Sequence, residues 1–364
     1  MAVLSDAQRE AGWTIAKLGD IATLVMGTSP KSSDVVDYPV GIPLLNGPAE
    51  FTDKYPVPVK WTEKGIRFSE PGDILFCVRA TLGKMNFSDR KYAIGRGLAA
   101  IRGIDELHTR YIYYTLLSTM ESILRNANGT IYLSVTKSDV ENFEIPLPPK
   151  DTLKRIAGIL GSLDDKIEAN TRLIQTIKEY MTALYKAEAK NGKVLELTDI
   201  ADFVNGRAFT KDATGTGRVV IRIAELNNGL GASTVYNDIE VKEENTAYPG
   251  DVLMSWSGSL DTYVWHLPEA IINQHIFKVI PKGNYPKWLV YHACKSVIED
   301  FQAIAVDKAT TMGHIRRGDL KRDISIPARE MPQMKNLWNL WMNLEQENLQ
   351  LAETRDALIK RLIG

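Results

Sequence analysis

The sequence predicts an α/β (α+β) chain: two similar globular domains with mixed β-sheets, separated by two long antiparallel coiled-coil helices, with an internal pseudo-two-fold repeat. Three observations carry that expectation. Two segments show seven-residue apolar periodicity, short apolar runs punctuated by Gly, Pro and Asn lie between them, and one offset links the two halves of the chain.

The first periodic segment covers residues 151–190. Leu160, Ile167, Ile174 and Met181 share one seam position and Ile156, Leu163, Asn170, Ile177 and Leu184 the other, so the stripe is apolar except at Asn170. In the second segment, 329–364, Leu337, Leu344, Leu351 and Leu358 fall seven apart, with Trp341, Asn348, Arg355 and Leu362 on the companion positions. Adding 178 maps Asn170 onto Asn348 and Leu184 onto Leu362, so the second helix reads as a copy of the first. A buried Asn pair is expected to fix the register of the two helices. At 1.5 Å per residue the first helix spans about 60 Å, enough to act as a ruler between the two globular domains. On that reading, four residues inserted after Ala183 add about 6 Å to the ruler.

The globular segments are 1–150, with residues 1–11 a tail, and 191–328. Each is expected to hold short strands between turns. "GIPLLNG" is an apolar run between glycines, "PGDILFCVRATLGK" a turn, a buried strand and a basic tip, and a helix is expected near Tyr111 to Leu124. The second half repeats this order. "LGDIATLVMG" matches "LTDIADFVNG" at an offset of 179, while "EPGDILFCVRATLG" matches "YPGDVLMSWSGSLD", and "AIGRGLAAIR" matches "IINQHIFKVI", at 178.

With 364 residues, 44% hydrophobic and 24% charged, the chain has the composition of a soluble protein of two domains. No apolar run is long enough to span a bilayer and "MAVLSDAQREAG" has no signal-peptide pattern, so the expectation is a cytoplasmic protein with no membrane contact. Cys77 and Cys294 lie in separate apolar segments and read as reduced core residues. The net charge of −1 hides segregation: between Phe76 and Arg102, Arg79, Lys84, Arg90, Lys91, Arg96 and Arg102 face Asp89 alone, whereas Glu225 to Asp251 is strongly acidic.

Catalytic patterns are missing from the sequence. "GTG" at Gly215 to Gly217 follows polar residues rather than a strand, there is no Walker A lysine pattern, and the double proline "PLPPK" lacks the partners of a methyltransferase motif. His108, His266, His275, His292 and His314 are scattered without metal-ligand spacing, so no metal is expected. Asp73 and Asp251, in the two "PGD" copies, read as turn residues rather than nuclease carboxylates. Recognition remains. Repeated loops carry residue types that contact phosphates and base edges. In the first half these are Thr28, Ser29 and Lys31; Arg79, Thr81 and Lys84; Arg90, Lys91 and Arg96; and Asn128, Thr130 and Lys137. In the second they are Arg207 and Lys211; Ser255, Trp256, Ser257 and Ser259; Asn273, Gln274 and His275; and Lys308, His314, Arg316 and Arg317.

Taken in order and duplicated, "MGTSPKSSDVVDYPVGIPLLNG", "EPGDILFCVRATLG", "IPLPPKDTLKRIAGILGSLDDKIEAN", "YPGDVLMSWSGSL", "IINQHIFKVIP" and "LAETRDALIKRL" give the chain a resemblance to type I restriction-modification specificity subunits. The resemblance implies a non-catalytic subunit with two target recognition domains, each reading half of a bipartite double-stranded DNA site. It implies helices that bind two modification (methyltransferase) subunits. It places S-adenosylmethionine and adenine methylation in those partners, and ATP and Mg in further restriction subunits, with no cofactor in this chain. The second domain departs from the pattern at "IPAREMPQM", where many members have a Pro-x-x-x-x-Gln run into the helix. Competing readings are a target-recognition subunit whose partner fuses methylase and nuclease, a DNA methyltransferase or nuclease acting alone, and a coiled-coil scaffold without DNA.

Overall fold

The computed structural model describes residues 3–52, 54–79, 81–126, 135–307 and 313–364, with backbone alone for 120–126 and 306–307. Asn128, Thr130 and Lys308 lie outside the described residues. The chain forms two compact units, Met1–Lys166 with Ala352–Gly364, and Ile167–Leu351. The sequence sets the long helices apart as segments of their own. The contacts instead divide each helix between the units, because its apolar stripe is part of their cores.

In the first unit, β1 (Thr14–Lys17) pairs antiparallel with the last strand, β10 (Glu144–Leu147). One sheet has the order β2 (Ala22–Met26), β9 (Leu98–Gly103), β6 (Ile74–Cys77), β7 (Met85–Phe87), all antiparallel. The other has the order β4 (Lys60–Thr62), β3 (Ile42–Leu45), β8 (Tyr92–Ile94), β5 (Phe68–Ser69), with β3 and β8 parallel. Strand β6 shows why its sequence is apolar throughout. Ile74 and Phe76 face a cluster with Leu24, Ile101 and Ile112, while Leu75 and Cys77 face Leu45, Ile94 and Leu98. A strand buried on both faces has no polar alternation to show.

The turn before β6 is held by Asp73, whose carboxylate accepts the Glu70 amide at 2.8 Å and pairs with Arg102 Nε at 2.6 Å. Burial pushes the Cys77 thiol up to about 12, so it stays protonated. The helix Glu106–Asn126 packs Tyr111 and Tyr114 against Leu153, Ile156, Ala157 and Leu160 of the first long helix, Lys150–Ala189, against Ile359 of the second, Pro332–Leu362, and against Ile363 just beyond it. Here the buried positions belong to Ile359 and Ile363, with Leu358 and Leu362 at the edge, whereas the heptad frame puts Leu358 and Leu362 on the seam. A straight helix drifts by about 20° per heptad, enough to hand the seam to the next residue. Beyond the apolar cluster, Asp164 accepts from Tyr114 Oη at 2.5 Å and from Arg355 at 2.8 Å. Burial works against the charge on Arg355, but the Asp164 and Asp356 carboxylates hold its pKa above the ordinary arginine value.

The second unit repeats the plan. A ribbon pairs β11 (Lys193–Glu196) with β20 (Asp323–Ile326). One sheet runs β12 (Ala201–Asn205), β19 (Ile276–Pro281), β16 (Val252–Ser255), β17 (Thr262–Val264). The other runs β14 (Val235–Asn237), β13 (Arg218–Ile221), β18 (Ala270–Ile272), β15 (Thr246–Ala247), with β13 and β18 parallel. Asp251 closes its turn as Asp73 does, accepting the Tyr248 amide at 3.0 Å and pairing with Lys287 at 2.7 Å and Lys278 at 3.3 Å.

The core of this unit takes in Ile174, Ile177, Met181, Tyr185 and Ala189 of the first long helix, Met334, Trp338, Trp341 and Leu344 of the second and Met331 just before it, with Leu337 and Leu184 partly buried against it. An insertion after Ala183 would therefore tear Tyr185 and Ala189 from a domain core rather than extend a free ruler. Asn170 is 2% exposed, and its amide donates to Asn348 Oδ1 at 3.0 Å and Glu347 Oε2 at 2.8 Å. Lys178 meets Glu345 at 3.6 Å, so within this unit the helices run antiparallel. Leu163, Ile167 and Leu351 are only half-buried. Among the described residues no helix is long and apolar enough to cross a membrane.

Candidate nucleic-acid interface

In the first unit β2 and β6 both run antiparallel to β9, and β3 runs parallel to β8. The segments that follow β2, β3, β6 and β8 are then knit together by backbone bonds. Gly27 N donates to Leu98 O at 2.9 Å, Thr28 N to Ile94 O at 2.8 Å, Gly95 N to Leu45 O at 2.8 Å and Val78 N to Gly97 O at 3.0 Å. Val135 N reaches Val78 O at 3.0 Å, and Ser29 Oγ accepts from Arg96 N at 3.2 Å. Packing is close enough that glycine is required: a Cβ on Gly27 would stand 2.1 Å from Gly95 O.

The exposed side chains at this loop end are Lys31, Arg79, Thr81, Lys84 and Arg96, with Thr28 and Ser29 half-buried beneath them. Among the described residues none of these four cations has a carboxylate partner. Asn46, which follows β3, also belongs here; it is exposed and its Oδ1 would lie 2.5 Å from a Cβ on Gly95. Sequence reasoning missed it, although an Asn-Gly step after the apolar run of β3 is the available signal.

The basic window between Phe76 and Arg102 does not form one face. Arg90 and Lys91 sit in the turn between β7 and β8, next to the start of β6, so the hairpin carries them to the opposite end from Arg79 and Lys84. Arg90 pairs with Asp89 at 2.9 Å, and Lys91 with Glu70 at 3.4 Å while lying 4.7 Å over the Phe68 ring. Lys137, two residues beyond Val135, pairs with Glu141 at 3.1 Å. Charge counted along a chain ignores the direction of its strands, so the cations of this window are divided between the two ends of the sheet.

The second unit builds the same end. Gly206 N donates to Ile276 O at 2.9 Å, Asn273 N to Ile221 O at 3.1 Å, Trp256 N to His275 O at 3.0 Å, Gln274 N to Arg207 O at 2.8 Å and Ile315 N to Trp256 O at 3.0 Å. A Cβ on Gly206 would fall 2.1 Å from Asn273 O, as at Gly27. Arg207, Lys211, Ser259, Gln274, Arg316 and Arg317 are exposed there.

Several of the residues singled out in the sequence are buried or bonded within this unit. Ser255 is buried, its hydroxyl donating to Ser259 O at 2.6 Å and accepting from Asp261 N at 2.9 Å. Asn273 is buried, with Oδ1 accepting the Phe209 amide at 3.0 Å. Ser257 is buried where its backbone bridges that of His314, itself half-buried. Trp256 is half-buried, its Nε1 donating to Asn205 Oδ1 at 2.7 Å and its ring 4.8 Å from that of His275. His275 holds φ 74°, a conformation that L side chains rarely adopt, in the position of Gly97. Among the described residues no group of three His, Cys, Asp or Glu could hold a metal ion.

The described residues form two copies of one mixed α/β domain, each with a loop end that exposes cations. The type I restriction modification DNA specificity domain matches residues 10–179 and again 190–337, and the chain belongs to that family. Over 170 residues it is 36% identical to a putative type I restriction enzyme MjaX specificity subunit of Methanocaldococcus jannaschii, a match covering 46% of this chain and 40% of that one. It is 24% identical to the type I restriction enzyme MjaIX specificity subunit of the same organism over 96% of this chain and 92% of the other. The fold is that of the type I restriction-modification system S subunit from M. genitalium, with a TM-score of 0.55 over 97% of this chain and 96% of that one at 18% identity.

Proposed function

We propose that this chain reads DNA for a type I restriction-modification complex, each unit recognising one half of a bipartite duplex target, and that it supplies no catalysis of its own. The observation that carries the reading is the pair of loop ends: the same backbone bonds hold both, while their exposed side chains differ, as two different half-sequences require. Arg79, Lys84 and Arg96 in one unit and Arg207, Arg316 and Arg317 in the other are the exposed cations for phosphates and base edges. Docking of two modification subunits on the long helices is supported by apolar side chains the second unit leaves on their outer faces, Leu173 44%, Tyr180 56% and Leu340 42% exposed. Those partners would bring S-adenosylmethionine to adenine, and restriction subunits would bring ATP and Mg.

The test lengthens both helices at facing points. Seven residues added after Lys166 and seven before Ala352 keep the apolar frame and add about 10.5 Å to each helix. Methylome sequencing of cells expressing the altered chain with its modification subunits should return both half-sequences unchanged and a spacer longer by roughly three base pairs. Full modification with the old spacer would end the ruler reading, and changed half-sequences would move recognition elsewhere on the surface.

A further inference from the structure

We infer that Arg96 and Gln274 are the matched base-reading residues of the two units, Arg96 selecting a guanine in one half-site and Gln274 an adenine in the other. The inference rests on the DNA-reading function proposed above and assigns the letter read at one position of each half.

The two residues are the middle members of equivalent turns, 95–97 and 273–275, separated by 178 positions. On both sides of each, the backbone is pinned. Gly95 N donates to Leu45 O and Gly97 O accepts from Val78 N; Asn273 N donates to Ile221 O and His275 O accepts from Trp256 N. The middle amide is held as well, by Ser29 Oγ at 3.2 Å in the first unit and by Arg207 O at 2.8 Å in the second. The flanks are buried or half-buried, whereas Arg96 and Gln274 are exposed, and neither side chain has a partner among the described residues.

A long side chain on a fixed backbone, among exposed cations, is the arrangement that direct readout needs, because little orientation is left to be lost on binding. The chemistry then separates the two. A guanidinium offers two parallel donors to O6 and N7 of guanine, while a carboxamide offers one donor and one acceptor to N7 and N6 of adenine.

The experiment is selection from random duplex DNA by the full-length chain, followed by sequencing. Wild type should enrich a two-part motif with a strongly preferred guanine in one part and adenine in the other. Arg96→Gln should convert that guanine to adenine, and Gln274→Arg that adenine to guanine, each changing preference at its position roughly 5- to 150-fold with the other half untouched. Arg96→Ala and Gln274→Ala should leave the position degenerate. A motif unchanged in the exchanged variants, or equal weakening on every sequence as for a phosphate contact, would overturn the assignment while leaving DNA reading in place. A wild-type chain that enriches no motif would overturn the DNA-reading function, and the assignment with it.

Discussion

The turn at 95–97 and the turn at 273–275 hang from the same flanking hydrogen bonds and share no residue type. In the first, Gly95 has no side chain, and Asn46 takes the space that a Cβ would need. In the second, Asn273 fills that space itself and caps the Phe209 amide, while Arg222, following β13 as Asn46 follows β3, is tied to Glu225 at 2.6 Å. Backbone bonds hold the flanks of both turns, so the residues around them are free to differ wherever they meet solvent. Those that turned inward acquired structural roles.

The largest test of that comparison is at the shared glycines. Gly27→Ala and Gly206→Ala each place a Cβ 2.1 Å from a backbone oxygen that cannot swing away. Each should cost at least about 3 kcal/mol, near the upper end for overpacking. Chemical denaturation of each variant measures it, and a change within experimental error at either position would show that the clamp is not common to both units.

The helix seams sharpen the comparison next. Between the long helices the first unit keeps a charged pair, Asp164 with Arg355, and the second an amide pair, Asn170 with Asn348. Arg355→Ala strands a carboxylate that is only 14% exposed and should cost about 2 kcal/mol, less than a fully buried pair. Removing both amides, Asn170→Leu with Asn348→Leu, takes donor and acceptor away together and should leave stability unchanged or raise it by about 1 kcal/mol. A marked fall in the double variant's unfolding temperature would mean that the amides hold more than register.

Where the first unit has Tyr114, the second has His292, buried between Tyr185 and Tyr291 with Nδ1 on Trp288 O at 2.7 Å and Nε2 unpartnered. Burial lowers its pKa to about 4 from a model-peptide 6.5. It folds neutral, so acidification costs stability as the unfolded state takes up the proton: the loss begins below pH 6.5 and levels off near pH 4. His292→Phe should remove on the order of 2 kcal/mol of that acid sensitivity. Parallel pH titrations of wild type and His292→Phe with identical slopes would refute it.

The repeat made most of the fold legible, because one offset aligned strands whose apolar runs are individually ambiguous. The apolar run of β6 announced a buried strand, and the offset carried that reading to β16. The recognition end was legible in its position but less so in its members. Ser255 and Asn273 look like surface residues in the sequence because a polar side chain bonded to backbone and one bonded to water are the same letter. Arg90 and Lys91 share a charge window with Arg79 and Lys84 but not an end of the sheet, because a charge window does not register that a hairpin returns. Leu358 yielded its place to Ile359 because a seven-residue frame and a 3.6-residue helix part company over three heptads.

The division of the long helices also sets an order of biosynthesis. Residues 352–364 emerge from the ribosome after the whole of Ile167–Leu351, yet they complete the unit begun at the other end of the chain. Until Ile359 and Ile363 arrive, Tyr111, Tyr114 and Leu160 lack part of their apolar cover. The domain made first is therefore finished last, and a nascent chain arrested before residue 352 would carry an intact second unit beside a sticky, incomplete first one.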